Sequence, residues 1–399
     1  RFKCDWSSDV CSSDLMENDA LKVRIENDGT LTVLHKDTGV VFDDLNYFLD
    51  NGEAGHAWMH HNPARDRVLD SRGFPVRIAL EEDGALLARY RVECRMDVPA
   101  RLEENGGDAW QRLDGIGNAA GRSEDTVPLT VTSWVTLRCG AKSVEIVVRF
   151  DNTAKNHRLR AMFPTRRTGT VCHVESAFDV IERETVFSPS SAWHGTKGVT
   201  FPMQRFVDVS DEKAGLAVLN DGLREYEVTQ DADRASAVTL MRAYQVSLCP
   251  VSKCWEELPE MELAQCPGAH EFAYSIYPHA GDWAQGHVFV EAEALTVPLE
   301  ATQAGVHEGA LPPRHGFVSV APEALVVTAF KGAEEDAGWV LRLFNPTDAT
   351  VEAALSFAEA PSNIELVLLE ETGGEALPLK NNTARFTLGP KKIGTVMFW

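Results

Sequence analysis

The sequence predicts an all-β protein, with one large β-sandwich followed by a small C-terminal one. Three observations predict it. Apolar and polar residues alternate at period two along much of the chain, Gly-bearing turns separate the alternating runs, and capped helical stripes at i, i+3, i+4 spacing are scarce. Many short strands, each with one apolar face, bury those faces by packing sheet on sheet.

The elements follow in order. Leu21, Val23 and Ile25 share a face, Asn27-Asp28-Gly29 turns the chain, and Leu31 and Val33 return. Leu129, Val131, Val135 and Leu137 form another face. Cys139-Gly140-Ala141-Lys142 turns, and Val144, Ile146, Val148 and Phe150 continue. Thr130, Thr132, Thr136, Glu145 and Arg149 lie opposite, so one side of this pair faces a core and the other is polar. Further strands are expected at 217–220, 226–228, 272–277, 288–292, 325–330, 339–344 and 386–388. A strand-like run ends at Pro298. A Gly-, Ala- and Pro-rich stretch closed by Pro312-Pro313-Arg314-His315-Gly316 follows. The expected organisation is a large domain over 16–298, a linker over 299–316 and a small sandwich over 317–399.

A chain of 399 residues exceeds the size of a single core. Its net charge of -22 argues against nucleic acid or an anionic membrane as partner, because like charges repel. No apolar run approaches the roughly 20 residues of a spanning helix, and the N-terminal residues lack an apolar signal core. The eight cysteines are scattered, which favours a reducing cytoplasm over a disulfide scaffold. The stretch Cys4–Leu15 contains two Ser-Ser-Asp copies and no amphipathic period. It reads as a translated sequencing adapter, which sets residues 1–15 apart and starts the native sequence near Met16 or Glu17; the alternative is a natural tail.

Most sites that could carry chemistry have a bland explanation. His56, His60 and His61 surround Trp58 without the spacing of a metal site and read as a polar loop. Cys249, Cys254 and Cys266 lack a Cys-x-x-Cys partner and read as idle thiols. The one His-x-Asp, His35-Lys36-Asp37, runs into Thr38-Gly39 and reads as a turn. Gly-Asn-Ala-Ala-Gly from Gly117 is a loop, and no nucleophile elbow or Walker motif is present.

Several ordered motifs carry a resemblance. Glu17-Asn18, Leu21-Lys22-Val23 and Asp28-Gly29-Thr30-Leu31 open it, and Gly215-Leu216-Ala217-Val218-Leu219-Asn220-Asp221-Gly222 follows. His270-Glu271-Phe272-Ala273-Tyr274 leads into Tyr277-Pro278-His279-Ala280-Gly281-Asp282-Trp283, and Leu343-Phe344-Asn345-Pro346 closes the series. From about Glu17 to Trp399 the chain resembles the C-terminal half of glycoside hydrolase family 38 α-mannosidases. Phe206–Asp211 and Gly222–Val228 are similar to the bacterial branch that includes mannosylglycerate hydrolases.

The resemblance implies a mutarotase-like supersandwich for the large domain and a retaining, zinc-dependent α-mannosidase as the intact enzyme. Retention needs two carboxylates about 5 Å apart. The resemblance puts these, and the zinc ligands, in an N-terminal catalytic domain missing here. The chain would then bind no zinc itself and be inactive alone. It would brace that domain, wall the sugar site, and join a cytoplasmic homo-oligomer acting on α-mannosides, 2-O-mannosylglycerate among them. Glycerate is a carboxylate and suits a planar arginine fork, which makes Arg224 and Arg242 candidates for the substrate pocket; the alternative is surface or ion-paired arginines. His279, Asp282 and Trp283 form either an edge of the sugar site or a packed turn that Asp282 caps and Trp283 buries, and the turn explains them more simply. Two rivals stay open. An aldose mutarotase needs a facing His and Glu, for which His173/Glu175 and His270/Glu271 stand too close in sequence. The other is a non-catalytic carbohydrate-binding protein.

Overall fold

The computed structural model describes residues 14–399 apart from 56, 58–59, 104–120, 187–198, 245, 250–253, 258 and 336–337. Residues 1–13 of the adapter-like stretch, His56 and Trp58, and most of the loop at Gly117 therefore lie outside the described residues. Asp14 and Leu15 lie inside them. They open the strand Asp14–Glu17, which pairs antiparallel with Leu21–Ile25, Leu15 opposite Arg24.

The chain divides into two units, Arg1–Val174 with Glu182–Gly286, and Glu175–Ile181 with His287–Trp399. In the first, the hairpin expected around Asn27–Gly29 forms between Leu21–Ile25 and Leu31–His35. Gly29 sits at φ 85°, and a Cβ there would lie 3.1 Å from methyls of Val76 and Val92, so both conformation and space select glycine. Thr126–Arg138 and Val144–Asn152 pair as the alternation implies, Thr136 opposite Glu145. The long strand Leu87–Pro99 joins them on the other side, with Tyr90 opposite Val135.

These strands belong to a nine-stranded sheet, and a six-stranded sheet accompanies it. The six-stranded sheet runs Phe201–Pro202, Glu225–Val228, Ser236–Arg242, His157–Phe163, Tyr47–Gly52, Leu69–Asp70. A continuous apolar core draws Leu21 and Val23 from the first hairpin, Val131, Val148 and Ile276 from the nine-stranded sheet, and Leu159, Ala161, Tyr226 and Val238 from the six-stranded one. Each fully buried aliphatic or aromatic side chain contributes about 1.5–3 kcal/mol. The unit is therefore a sandwich because its alternating residues leave it no other way to hide one face of each sheet.

The second unit is a smaller sandwich. One sheet contains Val318–Ala321, Val351–Phe357 and Thr383–Leu388; the other contains Val326–Gly332, Trp339–Phe344, Ile393–Phe398 and Ile364–Val367. Leu341, Leu343, Leu355, Phe386 and Val396 fill the space between them. Asn345 of the Leu-Phe-Asn-Pro motif is fully buried. Its amide donates to the carbonyls of Ala349 (2.8 Å) and Gly389 (2.9 Å), and its oxygen accepts from the Thr347 hydroxyl at 2.7 Å.

The strand expected at 288–292 is corrected. Val288–Thr296 is an α-helix with Val288, Phe289 and Ala292 buried. The run Val-Phe-Val-Glu-Ala-Glu-Ala-Leu alternates only after Val290, and burial at i, i+1 and i+4 is the helical pattern. Ala, Glu and Leu are strong helix formers, and they outvote the β-branched start. Residues 299–316 beyond it form neither helix nor strand and are exposed.

Candidate functional site

Period-two alternation places a second, polar face on the six-stranded sheet. Leu159, Ala161 and Phe163 point into the core, so Arg158 and Arg160 point away from it. Across the ladder Arg158 is opposite both Arg242 and Asn51, and Arg160 is opposite Thr239. On the next strand Glu225 and Glu227 flank the core residue Tyr226. An outward sheet face is ordinarily wet, but here Arg158 is 3% exposed and Arg160 9%.

These side chains form one linked network. Arg158 Nε donates to Asn51 Oδ1 at 3.2 Å, and Asn51 Nδ2 donates to Asn62 Oδ1 at 3.1 Å. His60 Nε2 lies 2.8 Å from Asn62 Oδ1, and its Nδ1 lies 2.6 Å from Glu53 Oε2. The same Glu53 oxygen lies 3.0 Å from Arg242 Nε, and Arg242 Nη1 lies 3.6 Å from Glu225 Oε2. Thr239 donates to Glu225 Oε1 at 2.8 Å, and Arg160 Nη1 donates to Glu227 Oε2 at 2.8 Å. Arg160 and Arg242 thus pair with three glutamates, while Arg158 bonds to Asn51 between them.

Balance is not complete pairing. Among the described residues Arg158 Nη1 is buried without a hydrogen-bond partner. Burial, and then the charge of Arg160, push the Arg158 guanidinium down to about 10, even though Glu227, Glu225 and Glu53 oppose them. Burial would raise the Glu53 carboxyl, but the His60 hydrogen bond and charge, Arg242 and the Gly55 N–H together hold it below the usual range. Arg158 is therefore a cation held out of water with one terminus unmet, suited to an anionic or hydroxyl-rich partner.

A second buried cluster anchors this face. Asp50, on the same strand as Asn51, is fully buried; one oxygen meets His157 Nδ1 and the other accepts from Arg122 Nη2. His157 Nε2 lies 2.9 Å from Asn152 Oδ1, and Asn152 Nδ2 donates to the carbonyls of Gln265 (2.9 Å) and Cys266 (3.0 Å). Neither Asp50 nor Arg122 has a role evident from its sequence neighbourhood.

The residues singled out from the sequence separate into different places. Arg242 joins the polar face. Arg224 is exposed, and its Nη1 donates to the Gln204 carbonyl at 3.1 Å. Asp282 caps a turn, accepting from the N–H groups of Ala284 (3.0 Å) and Gln285 (2.9 Å), and Trp283 is half-buried with its ring 6.2 Å from that of His173. His279 is buried; its Nε2 donates to Asp208 Oδ1 at 2.8 Å, and Asp208 Oδ2 accepts from Ser210 at 2.7 Å. Of the rival pairs, His270 Nε2 lies 2.9 Å from the Cys266 carbonyl, and Glu271 pairs with Arg149.

The dyad has a checkable consequence. Burial alone would lower the His279 pKa, but the Asp208 charge and hydrogen bond outweigh it and raise the pKa above its ordinary 6.5. A raised folded-state pKa stabilises fully below 6.5, and that stabilisation is lost as pH rises through the folded value. Thermal unfolding against pH should show this decline as pH rises above 6.5, and His279→Gln should flatten it. Gly215→Ala should also destabilise, by about 1–3 kcal/mol, because overpacking forces side chains aside. A Cβ there would stand 2.3 Å from His279 Cε1.

Among the described residues no three His, Cys, Asp or Glu side chains group so as to hold a metal ion.

The comparisons with known proteins bear on the whole arrangement. The description "Glycosyl hydrolases family 38 C-terminal domain" matches residues 16–245, a span that includes the entire polar face. The chain belongs to glycosyl hydrolase family 38. A second family 38 description, the C-terminal beta sandwich domain, matches residues 324–396. The chain is 31% identical over 340 residues to a mannosylglycerate hydrolase-like protein of Halalkalibacterium halodurans, covering 84% of this chain and 36% of that protein. It is 27% identical over 257 residues to human alpha-mannosidase 2C1, covering 62% of this chain and 22% of that protein. The structure of an alpha-mannosidase from Enterococcus faecalis V583 superposes with a TM-score of 0.84 at 26% identity, over 96% of this chain and 42% of that one. The family 38 chain described here thus spans well under half the length of these relatives. Its Tyr277–Trp283 motif lies between the two matched ranges.

Proposed function

We propose that this chain is the β-rich C-terminal part of a retaining, zinc-dependent α-mannosidase, and that its polar sheet face forms one wall of the sugar site. The observation that carries this reading is Arg158, a buried guanidinium with an unmet terminus beside Arg242. Proteins rarely leave such a group without a partner, because the desolvation cost is large. A substrate carboxylate would supply one, and the mannosylglycerate hydrolase-like relative makes 2-O-mannosylglycerate the substrate to test first. In this reading the zinc ligands and the two reacting carboxylates belong to a catalytic part outside this chain. This chain's arginines orient the substrate and exclude water. Among the described residues the cysteines Cys94, Cys139, Cys172 and Cys266 are free, in keeping with a cytoplasmic setting, and no helix is long and apolar enough to cross a membrane.

The test compares the isolated chain with the complete protein on p-nitrophenyl α-mannoside, with zinc added to both. Turnover by the complete protein and none by the isolated chain is expected. Turnover by the isolated chain would overturn the reading.

A further inference from the structure

We propose that the solvent-facing side of the nine-stranded sheet around Trp134 is a binding site for a neutral pyranose, separate from the polar face of the six-stranded sheet. Four adjacent strands build it. The register puts Thr136 opposite both Arg89 and Glu145, Val147 opposite Trp134, and Arg149 opposite Glu271, so these side chains emerge on one face. They line a cavity of about 400 Å³, within the roughly 300–1,000 Å³ range of small-ligand clefts.

Its chemistry is that of a sugar platform. Outward positions along Thr126–Arg138 read Thr130, Thr132, Trp134, Thr136 and Arg138, so one indole stands among small polar and charged groups. Among the described residues the Trp134 indole N–H has no hydrogen-bond partner, and the ring's contact is the Arg149 guanidinium, 5.4 Å from its centroid. An amphipathic ring that is apolar on its face and polar at its tip suits the C–H side of a pyranose. Around it, Arg138 Nε donates to Glu145 at 2.8 Å, Arg89 Nε donates to Thr136 at 3.0 Å, and Arg149 pairs with Glu271. Guanidinium and carboxylate planes can each bridge two neighbouring hydroxyls.

The pairing decides the ligand class. Each lining guanidinium already faces a carboxylate, Arg138 with Glu145, Arg149 with Glu271 and Arg89 3.9 Å from Glu82, so a neutral polyol fits better than a phosphate or an acidic sugar. The Arg149 and Glu271 side chains are 59% and 50% exposed, so their ion pair is weak and opens at little cost. A protein partner fits poorly, because interface cores exclude charge and the apolar surface here is little more than Trp134 and Val147.

The test is calorimetric titration of the chain with methyl α-mannoside and methyl α-glucoside. Saturable binding with Kd on the order of 1–10 mM is expected, as befits a small ligand on an open cleft. Trp134→Leu should weaken it about tenfold or more, since a stacked aromatic is worth roughly that factor. Glu271→Gln should weaken it with an unchanged unfolding midpoint, which guards against a misfolded Trp134 variant. Arg385→Ala, which removes an exposed ion pair with Glu352 in the smaller unit, should leave it unaltered. Absence of saturation, or an affinity equal to the parent's in either the Trp134→Leu or the Glu271→Gln variant, would overturn the proposal.

Discussion

Asp50→Ala lowers the stability of the larger unit by about 3–5 kcal/mol, the cost of stranding a buried partner charge. Two side chains depend on this carboxylate: Arg122, 1% exposed beside an Asp50 that is 0% exposed, and the fully buried His157. Removing the carboxylate leaves Arg122 Nη1 with the neutral carbonyls of Arg67 (3.0 Å) and Asp50 (3.3 Å). Asp50→Asn should lose less, because an amide oxygen can still accept one hydrogen bond while the charge is gone. Denaturant titration of the two variants measures both losses.

The same carboxylate makes a pH prediction of opposite sign to that of His279. Burial pushes the Asp50 pKa up, but His157 and Arg122 outweigh it and hold the pKa below its ordinary 3.8. Its contribution is therefore present above 3.8 and is lost as pH falls through the folded value. Acid unfolding should be steeper in the parent protein than in Asp50→Asn. Equal slopes would mean that the carboxylate is not the group that titrates.

How much of this could be read from the sequence differs between fold and site. The hairpin at Asn27–Gly29 and the strand pair Thr126–Arg138 and Val144–Asn152 were legible because a strand buries every second residue. Val288–Thr296 was not, since β-branched residues open a run whose Ala, Glu and Leu then set the helix. Arg242 could be singled out by its chemistry. Arg158 and Arg160 were visible only as polar positions alternating with Leu159 and Ala161, and alternation tells which face a side chain takes without telling whether water reaches that face. The Asp50–His157 and Asp50–Arg122 contacts join residues 107 and 72 positions apart, a distance over which local pattern carries no information. In the Tyr277–Trp283 motif, Gly281 and Asp282 were legible as parts of a turn, which the chain enters just after His279 at the end of the strand Gly268–Ala280. The partner Asp208 was not, because it is 71 positions away from His279.

The second large effect concerns the polar face in the complete protein. Arg158→Gln removes the guanidinium whose Nη1 is unmet but keeps a side chain able to donate to Asn51. It should reduce kcat/KM for 2-O-mannosylglycerate by about 100-fold, in line with the 2–5 kcal/mol lost when a buried hydrogen-bonded charge loses its partner. Arg158→Lys should not rescue it, because a point charge does not reproduce the planar fork. Arg242→Ala should give a loss of similar size, since it also strands Glu53 and Glu225.

The most direct test of the sugar-wall assignment is the ratio of kcat/KM for 2-O-mannosylglycerate to that for p-nitrophenyl α-mannoside, measured in the complete protein and its Arg158→Gln variant. A carboxylate-binding wall predicts that the ratio falls by about tenfold or more, because only the first substrate carries the anion. An unchanged ratio, whether both rates fall together or neither moves, would contradict it and leave Arg158 a structural residue of the sheet.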